Sequence, residues 1–175
     1  VGEIVSSDAH QATALRASRE CLVLLKNDKQ MLPLDNRYKR IAVIGPNARS
    51  RGYIPTHYGP RGFKHYMSVY DGLKEVYKND NSISVKYAKG IDLVNKGWPE
   101  NELIKDNLTE EEQQDIAEAV GLSMESDVIV AVLGDGAHTS GESRTRSSLD
   151  LPGHQEDLLK ALVKTGKPVV LVLIW

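Results

Sequence analysis

The chain has 175 residues, 41% of them hydrophobic and 26% charged, an ordinary globular composition long enough for one domain with a real core. Its 24 acidic and 22 basic residues leave a formal net charge of −2, which argues against the concentrated basic surface that nucleic acid or an anionic membrane requires. The lone Cys21 excludes an intrachain disulfide and a cysteine metal cluster, and reads as a small buried apolar residue.

Residues from about Asp8 to Cys21 have helix-forming composition, with Ala12, Leu15, Ala17 and Cys21 as apolar positions and Ser6, Ser7 or Asp8 as N-cap. Leu22 to Leu25 is a short apolar run, and Asn27-Asp28 turns the chain. Met31-Leu32-Pro33-Leu34 is extended, because the residue before a proline avoids the helical region. A strand is predicted from Arg40 to Ile44, followed by Gly45-Pro46-Asn47-Ala48 and a long loop from Arg49 to Tyr66. Ser68 to Lys78 reads as a helix with Val69, Leu73 and Val76 on one buried face. Ser82 to Ala88 alternates as a strand. Gly90 to Leu108 is a second loop. Thr109-Glu110-Glu111-Glu112 is a capping box that opens a helix to about Met124.

Asp127 to Leu133 is a further strand, His154 to Lys164 a helix, and Gly166-Lys167-Pro168 turns into a last strand. The runs at Val128 and Val169 are apolar throughout, as central parallel strands are. Strands alternating with helices predict an α/β fold, a three-layer α/β/α sandwich with a mostly parallel sheet covered on both faces. The longest apolar run, Val169 to Trp175, is too short to span a bilayer. No secretory signal is visible. The chain starts at Val1 and stops inside a strand, so it reads as a fragment cut at both ends.

One loop carries the chemistry. Gly141-Glu142-Ser143-Arg144-Thr145-Arg146, followed by Ser148-Leu149-Asp150-Leu151-Pro152-Gly153, comes a few residues after an apolar β-branched strand. Such loops are where α/β sheets present ligands and reactive groups. Glu142, a single acid between small residues, is the candidate general acid. Its alternative is a solvated loop carboxylate. Arg144 and Arg146 would orient Glu142 or hydrogen-bond a substrate. Against this, either arginine would stabilise the loop by pairing with Asp150 or backbone carbonyls, the reading preferred for Arg146. His57, Tyr58, His65 and Tyr66 form a candidate aromatic platform, with ordinary loop packing as the alternative. Trp98 is a weaker candidate of the same kind. Gly134-Asp135-Gly136 lacks the spacing of a nucleotide-binding turn. Ser140 or Ser143 with His138 or His154 lacks the flanking pattern of a serine hydrolase.

These elements and loops resemble the second domain of glycoside hydrolase family 3, whose members include β-glucosidases and β-xylosidases. Five segments carry the resemblance: Leu22 to Asn27 with Leu32-Pro33-Leu34; Ile41 to Ala48; Tyr87 to Gly90; Val132-Leu133-Gly134 through Gly141-Glu142, Arg146 and Ser148 to Gly153; and Gly166 to Leu173. Trp175 departs from it, where the family continues with Asn-Gly. The resemblance implies that residues 1–34 are a linker helix and strand leading in from an N-terminal β/α barrel, and that residues 35–175 are the family's α/β domain, incomplete at its C-terminal end. It implies that the barrel holds the aspartate nucleophile and that Glu142 is the acid/base. Arg144, Arg146, His57 and Tyr58 would then contact an oligosaccharide or β-glycoside, with no metal or organic cofactor. A secreted or periplasmic parent is implied by the family's polymer-derived substrates. The alternative is a non-catalytic carbohydrate-binding or structural domain that packs on a barrel.

Overall fold

The computed structural model describes residue 4, residues 7–50 and residues 67–174. It divides into two compact units, Val1–Asp35 and Asn36–Trp175.

In the first unit, α1 spans Asp8–Glu20, and the Ser7 hydroxyl accepts the His10 N–H at 3.5 Å. The helix has no buried residue, and Cys21 is exposed and free rather than buried. The reason lies in side-chain size: Leu15 is the one large apolar residue among Ala12, Leu15 and Ala17, too little to build a core face. Leu22 to Leu25 belongs to no helix or strand and is exposed. Beyond it the Asn27 amide closes the turn, donating to Leu32 O at 2.8 Å and accepting from Leu32 N at 2.9 Å.

The second unit holds a four-stranded parallel sheet: β1 (Arg40–Ile44), β2 (Ser84–Ala88), β3 (Val128–Gly134) and β4 (Val169–Ile174), in the order β2-β1-β3-β4. The register sets Val43 beside both Tyr87 and Val130, so these three point to one face, while Ala42, Ile129 and Val169 point to the other. Helices α3 (Glu110–Met124) and α4 (Gln155–Lys164) cover the second face. There Ile116, Ala119, Leu158 and Leu162 pack on Ala42, Ile44, Ile129, Ala131 and Leu133. On the first face, α2 (Val69–Val76) brings Tyr70 to within 5.8 Å of Tyr87, ring centroid to ring centroid. The result is a three-layer α/β/α arrangement. β1 and β3 are buried on both faces, which is why neither alternates in polarity.

Two sequence expectations change here. Val76 is 74% exposed, because the inner stripe of α2 runs through Tyr70, Leu73 and Tyr77 instead. β4 is an edge strand among the described residues, and Leu171 is 41% exposed. An unbroken apolar run reports cover on the faces of a strand, not a neighbour along its edge.

Helix starts follow their local chemistry. Thr109 Oγ1 accepts the Glu112 N–H at 3.2 Å, and Glu112 Oε2 accepts the Thr109 N–H at 2.8 Å. Ser68 and Asp71 form the same reciprocal pair at the start of α2. Thr109→Ala is expected to destabilise the chain by about 1 kcal/mol. A urea midpoint identical to the parent's would show that water caps this helix equally well.

The chain passes from β1 to β2 through α2 on one face, then returns beyond β1 to β3 through α3 on the other. The direction of winding therefore reverses between β1 and β3. Their carboxyl ends open a crevice there, the usual ligand position in such sheets. Both strands leave through glycine with strongly positive φ, 128° at Gly45 and 125° at Gly134. A Cβ would lie 2.2 Å from Val132 O at the first and 2.0 Å from Ile174 O at the second. Glycine is what lets the chain fold tightly over the next strand.

Candidate active site

Buried polar side chains line this crevice. Asn47, just after β1, donates from Nδ2 to Asp135 O at 3.0 Å and so joins the two strand ends. Gln155, fully buried at the start of α4, accepts the Gly134 N–H at 2.8 Å. It also donates to Gly134 O and Leu93 O, both at 3.0 Å. One amide thereby ties together the end of β3, the start of α4 and the loop after β2.

The loop after β3 begins with a small turn, in which Thr139 N donates to Gly136 O at 3.0 Å and Gly136 N to Thr139 Oγ1 at 3.0 Å. It then reverses tightly at Gly141–Arg144, where Arg144 N donates to Gly141 O at 3.2 Å. Glu142 and Ser143 are the central residues of that β-turn. Ser143 takes φ 60°, a left-handed value of the kind a type II turn places at its third position. Glu142 is thus displayed, exposed, at a turn tip, with Arg144 exposed beside it.

Four residues beyond Glu142 the loop is pinned. Arg146 is 14% exposed, and each guanidinium nitrogen has a protein acceptor. Nε donates to Glu102 Oε1 at 2.5 Å, Nη1 to Asp135 Oδ1 at 2.6 Å and Nη2 to Asp150 O. The guanidinium carbon also lies 5.7 Å from the centre of the Trp98 ring. The second Glu102 oxygen accepts the Ser147 N–H at 2.9 Å and its hydroxyl at 2.8 Å. Glu102 sits in a short 3₁₀ turn, Glu100–Glu102, of the loop after β2. Asp106 holds that loop in shape, accepting from Asn95 at 3.0 Å and Asn101 at 3.2 Å and meeting His154 Nε2 at 3.2 Å. His154 Nδ1 meets Asp157 at 2.9 Å.

Burial by itself would raise the Glu102 pKa. The hydrogen bonds from Arg146 and Ser147, with the guanidinium charge, outweigh burial and hold the carboxyl at about 2, against an ordinary 4.5. At the far end of the sheet, Arg40 with the N–H groups of Arg40 and Lys39 likewise holds Asp127 at about 2. A depressed carboxyl adds stability that is complete above its unfolded pKa and lost as pH falls through its folded one. Stability should therefore decline from about pH 4.5 towards pH 2, and Glu102→Gln should flatten this acid limb by up to one proton's worth. Urea midpoints across that range test it; parallel limbs in the two proteins would mean that Glu102 is not ionised against Arg146.

Of the residues singled out from sequence, Glu142 and Arg144 share the turn, and Arg146 is the loop's anchor, with Trp98 against it. His57, Tyr58, His65 and Tyr66 lie outside the described residues. The rival motifs do not assemble. No helix follows Gly134-Asp135-Gly136 before Gln155, and both ring nitrogens of His154 face carboxylates. Among the described residues no group of three His, Cys, Asp or Glu side chains could hold a metal, and no helix is long and apolar enough to cross a membrane. An open depression of about 340 Å³ lies beside the anchor, lined by Pro99, Glu102, Leu103, Thr145, Arg146 and Ser147.

Sequence reading missed Asn47, Glu102, Asp135 and Gln155. Asn47 and Asp135 carried a local signal, since each follows a strand that ends in glycine. Glu102 did not, because nothing near it in sequence announces a partner 44 residues away.

A doubly wound parallel sheet, with an exposed carboxyl on the loop that leaves β3, defines the chain as an α/β domain. Residues 22–175 match the glycosyl hydrolase family 3 C-terminal domain, and the chain belongs to that family. It is 37% identical, over 96% of its length, to a β-xylosidase of Formosa agariphila, and 34% identical, over 96%, to a periplasmic β-glucosidase of Salmonella typhimurium. It spans 22% of each of these relatives. The structure of a β-glucosidase involved in saponin metabolism from intestinal bacteria superposes with a TM-score of 0.78, at 30% identity, over 99% of this chain and 26% of that one.

Proposed function

We propose that this chain is the acid/base-bearing domain of a retaining, exo-acting β-glycosidase, and that Glu142 is the acid/base. The support is the position of Glu142: an exposed carboxyl at the tip of a tight turn, on a loop that leaves the end of β3 and is tied back to Asp135 by Arg146. The family and the relatives' names add the chemistry, removal of terminal β-D-glucosyl or β-D-xylosyl residues.

In a retaining mechanism two carboxyls roughly 5 to 5.5 Å apart act in turn. One, on a β/α barrel reached through residues 1–34, attacks the anomeric carbon and displaces the leaving alcohol. Glu142 gives that alcohol its proton, then takes one from the water that hydrolyses the covalent glycosyl-enzyme. Residues 35–175 form the domain that delivers Glu142. Double displacement between two carboxyls needs neither a metal nor an organic cofactor. Arg144, beside the acid, faces the leaving group, whereas Arg146 commits one donor of each guanidinium nitrogen to holding the loop.

The test is Glu142→Gly in the full-length protein, assayed on aryl β-glycosides of good and poor leaving group with and without azide. If affinity alone changes, the domain binds carbohydrate, or packs on a barrel, without catalysing.

A further inference from the structure

We infer that Glu102, Arg146 and Asp135 form a positioning clasp that sets where the Glu142 carboxyl stands, an inference that rests on the reading of Glu142 as acid/base. The loop from Gly136 to Asp150 contains no helix or strand. Before the Glu142 turn, Thr139 closes on Gly136 within the loop itself. After the turn, Arg146 and Ser147 tie the loop to the rest of the unit. That attachment reaches two other parts of the unit. Glu102 belongs to the loop after β2, itself braced by Asp106, and Asp135 belongs to the end of β3.

A guanidinium suits this task because its planar fork serves Glu102, Asp135 and the Asp150 carbonyl at once. The ammonium of a lysine is a single point and does not reproduce that fork. The side chains of Arg146 and Glu102 are 14% and 9% exposed, so their ion pair is partly shielded from water although it borders an open depression. Glu142 lies four residues before its anchor, close enough for a change at Arg146 to move the turn. Proton transfer needs the carboxyl within hydrogen-bond reach of the leaving oxygen, and misplacement by about 1 Å costs on the order of 10²-fold in rate.

The test uses the full-length protein with Arg146→Lys, Glu102→Gln, Glu142→Gly and the double variant Arg146→Lys/Glu142→Gly. Each is assayed for kcat and KM on aryl β-glycosides with a poor and an activated leaving group. The clasp predicts that Arg146→Lys lowers kcat/KM by about 10²-fold on the poor leaving group and by less than about 5-fold on the activated one, which barely needs the acid. Glu102→Gln, which keeps an acceptor for Ser147 but loses the charge, falls between Arg146→Lys and the parent. In the double variant Arg146→Lys adds nothing to the loss caused by Glu142→Gly, because the position of an absent acid no longer matters.

Equal losses on both leaving groups, or losses that multiply in the double variant, would overturn the clasp and leave Arg146 a structural residue, while the acid/base reading stands. Should Glu142→Gly itself fail to discriminate between leaving groups, the acid/base reading falls and takes the clasp with it. If Arg146→Lys does not fold, Glu102→Gln decides by the same criterion.

Discussion

Glu142→Gly in the full-length protein is expected to slow hydrolysis of an aryl β-glycoside with a poor leaving group by about 10²- to 10⁴-fold, the usual contribution of a positioned acid. With an activated phenol the first step should survive, because such a leaving group departs as the anion without a proton. The second step should then limit turnover, since water attacks the glycosyl-enzyme slowly without a base. Azide needs no base and fits the space a glycine leaves, so it should restore turnover on the activated substrate and yield a β-glycosyl azide. That product separates the acid/base from any residue that merely touches substrate. Comparable rates on both substrates, with no glycosyl azide, would make Glu142 a loop carboxylate and the domain a binding or structural partner of the barrel.

Gln155→Leu should cause the largest loss of stability of any single change at the crevice, about 3 to 5 kcal/mol. The fully buried amide serves the N–H and C=O of Gly134 and the C=O of Leu93. Leucine fills nearly the same volume but leaves all three backbone groups without a partner, at about 1 to 3 kcal/mol for each buried group. Gln155→Glu keeps the acceptor for Gly134 N but sets oxygen against two carbonyls, so it should be no better. Urea unfolding measures both variants; a loss below about 1 kcal/mol for the leucine variant would mean that water enters and replaces the amide. The functional consequence would follow from place, because this amide secures the end of β3, from which the Glu142 loop springs, and Leu93 in the loop that bears Glu102.

Most of the fold was legible because its causes are local. β1 and β3 announced themselves as unbroken apolar runs ending in glycine, and Thr109 with Glu112 marked the start of α3 within four residues. Where a position depended on a neighbour remote in sequence, local reading failed. Val76 matched the helical spacing, yet the sheet took Tyr70. Cys21 was taken as buried on its small apolar character, and it is exposed.

The candidate site divides in the same way. Sequence by itself determined that Glu142 stands between small residues in the loop after a buried strand, because strand, glycine and loop are contiguous chemistry. Only the tertiary structure decided that Arg146 closes on Glu102 and Asp135, that Asn47 bridges to Asp135 and that Gln155 secures Gly134. Each of these is a hydrogen bond between polar groups remote in sequence. Burying such groups is costly unless they meet, so the partners are chosen by the packing that removes water from all of them together.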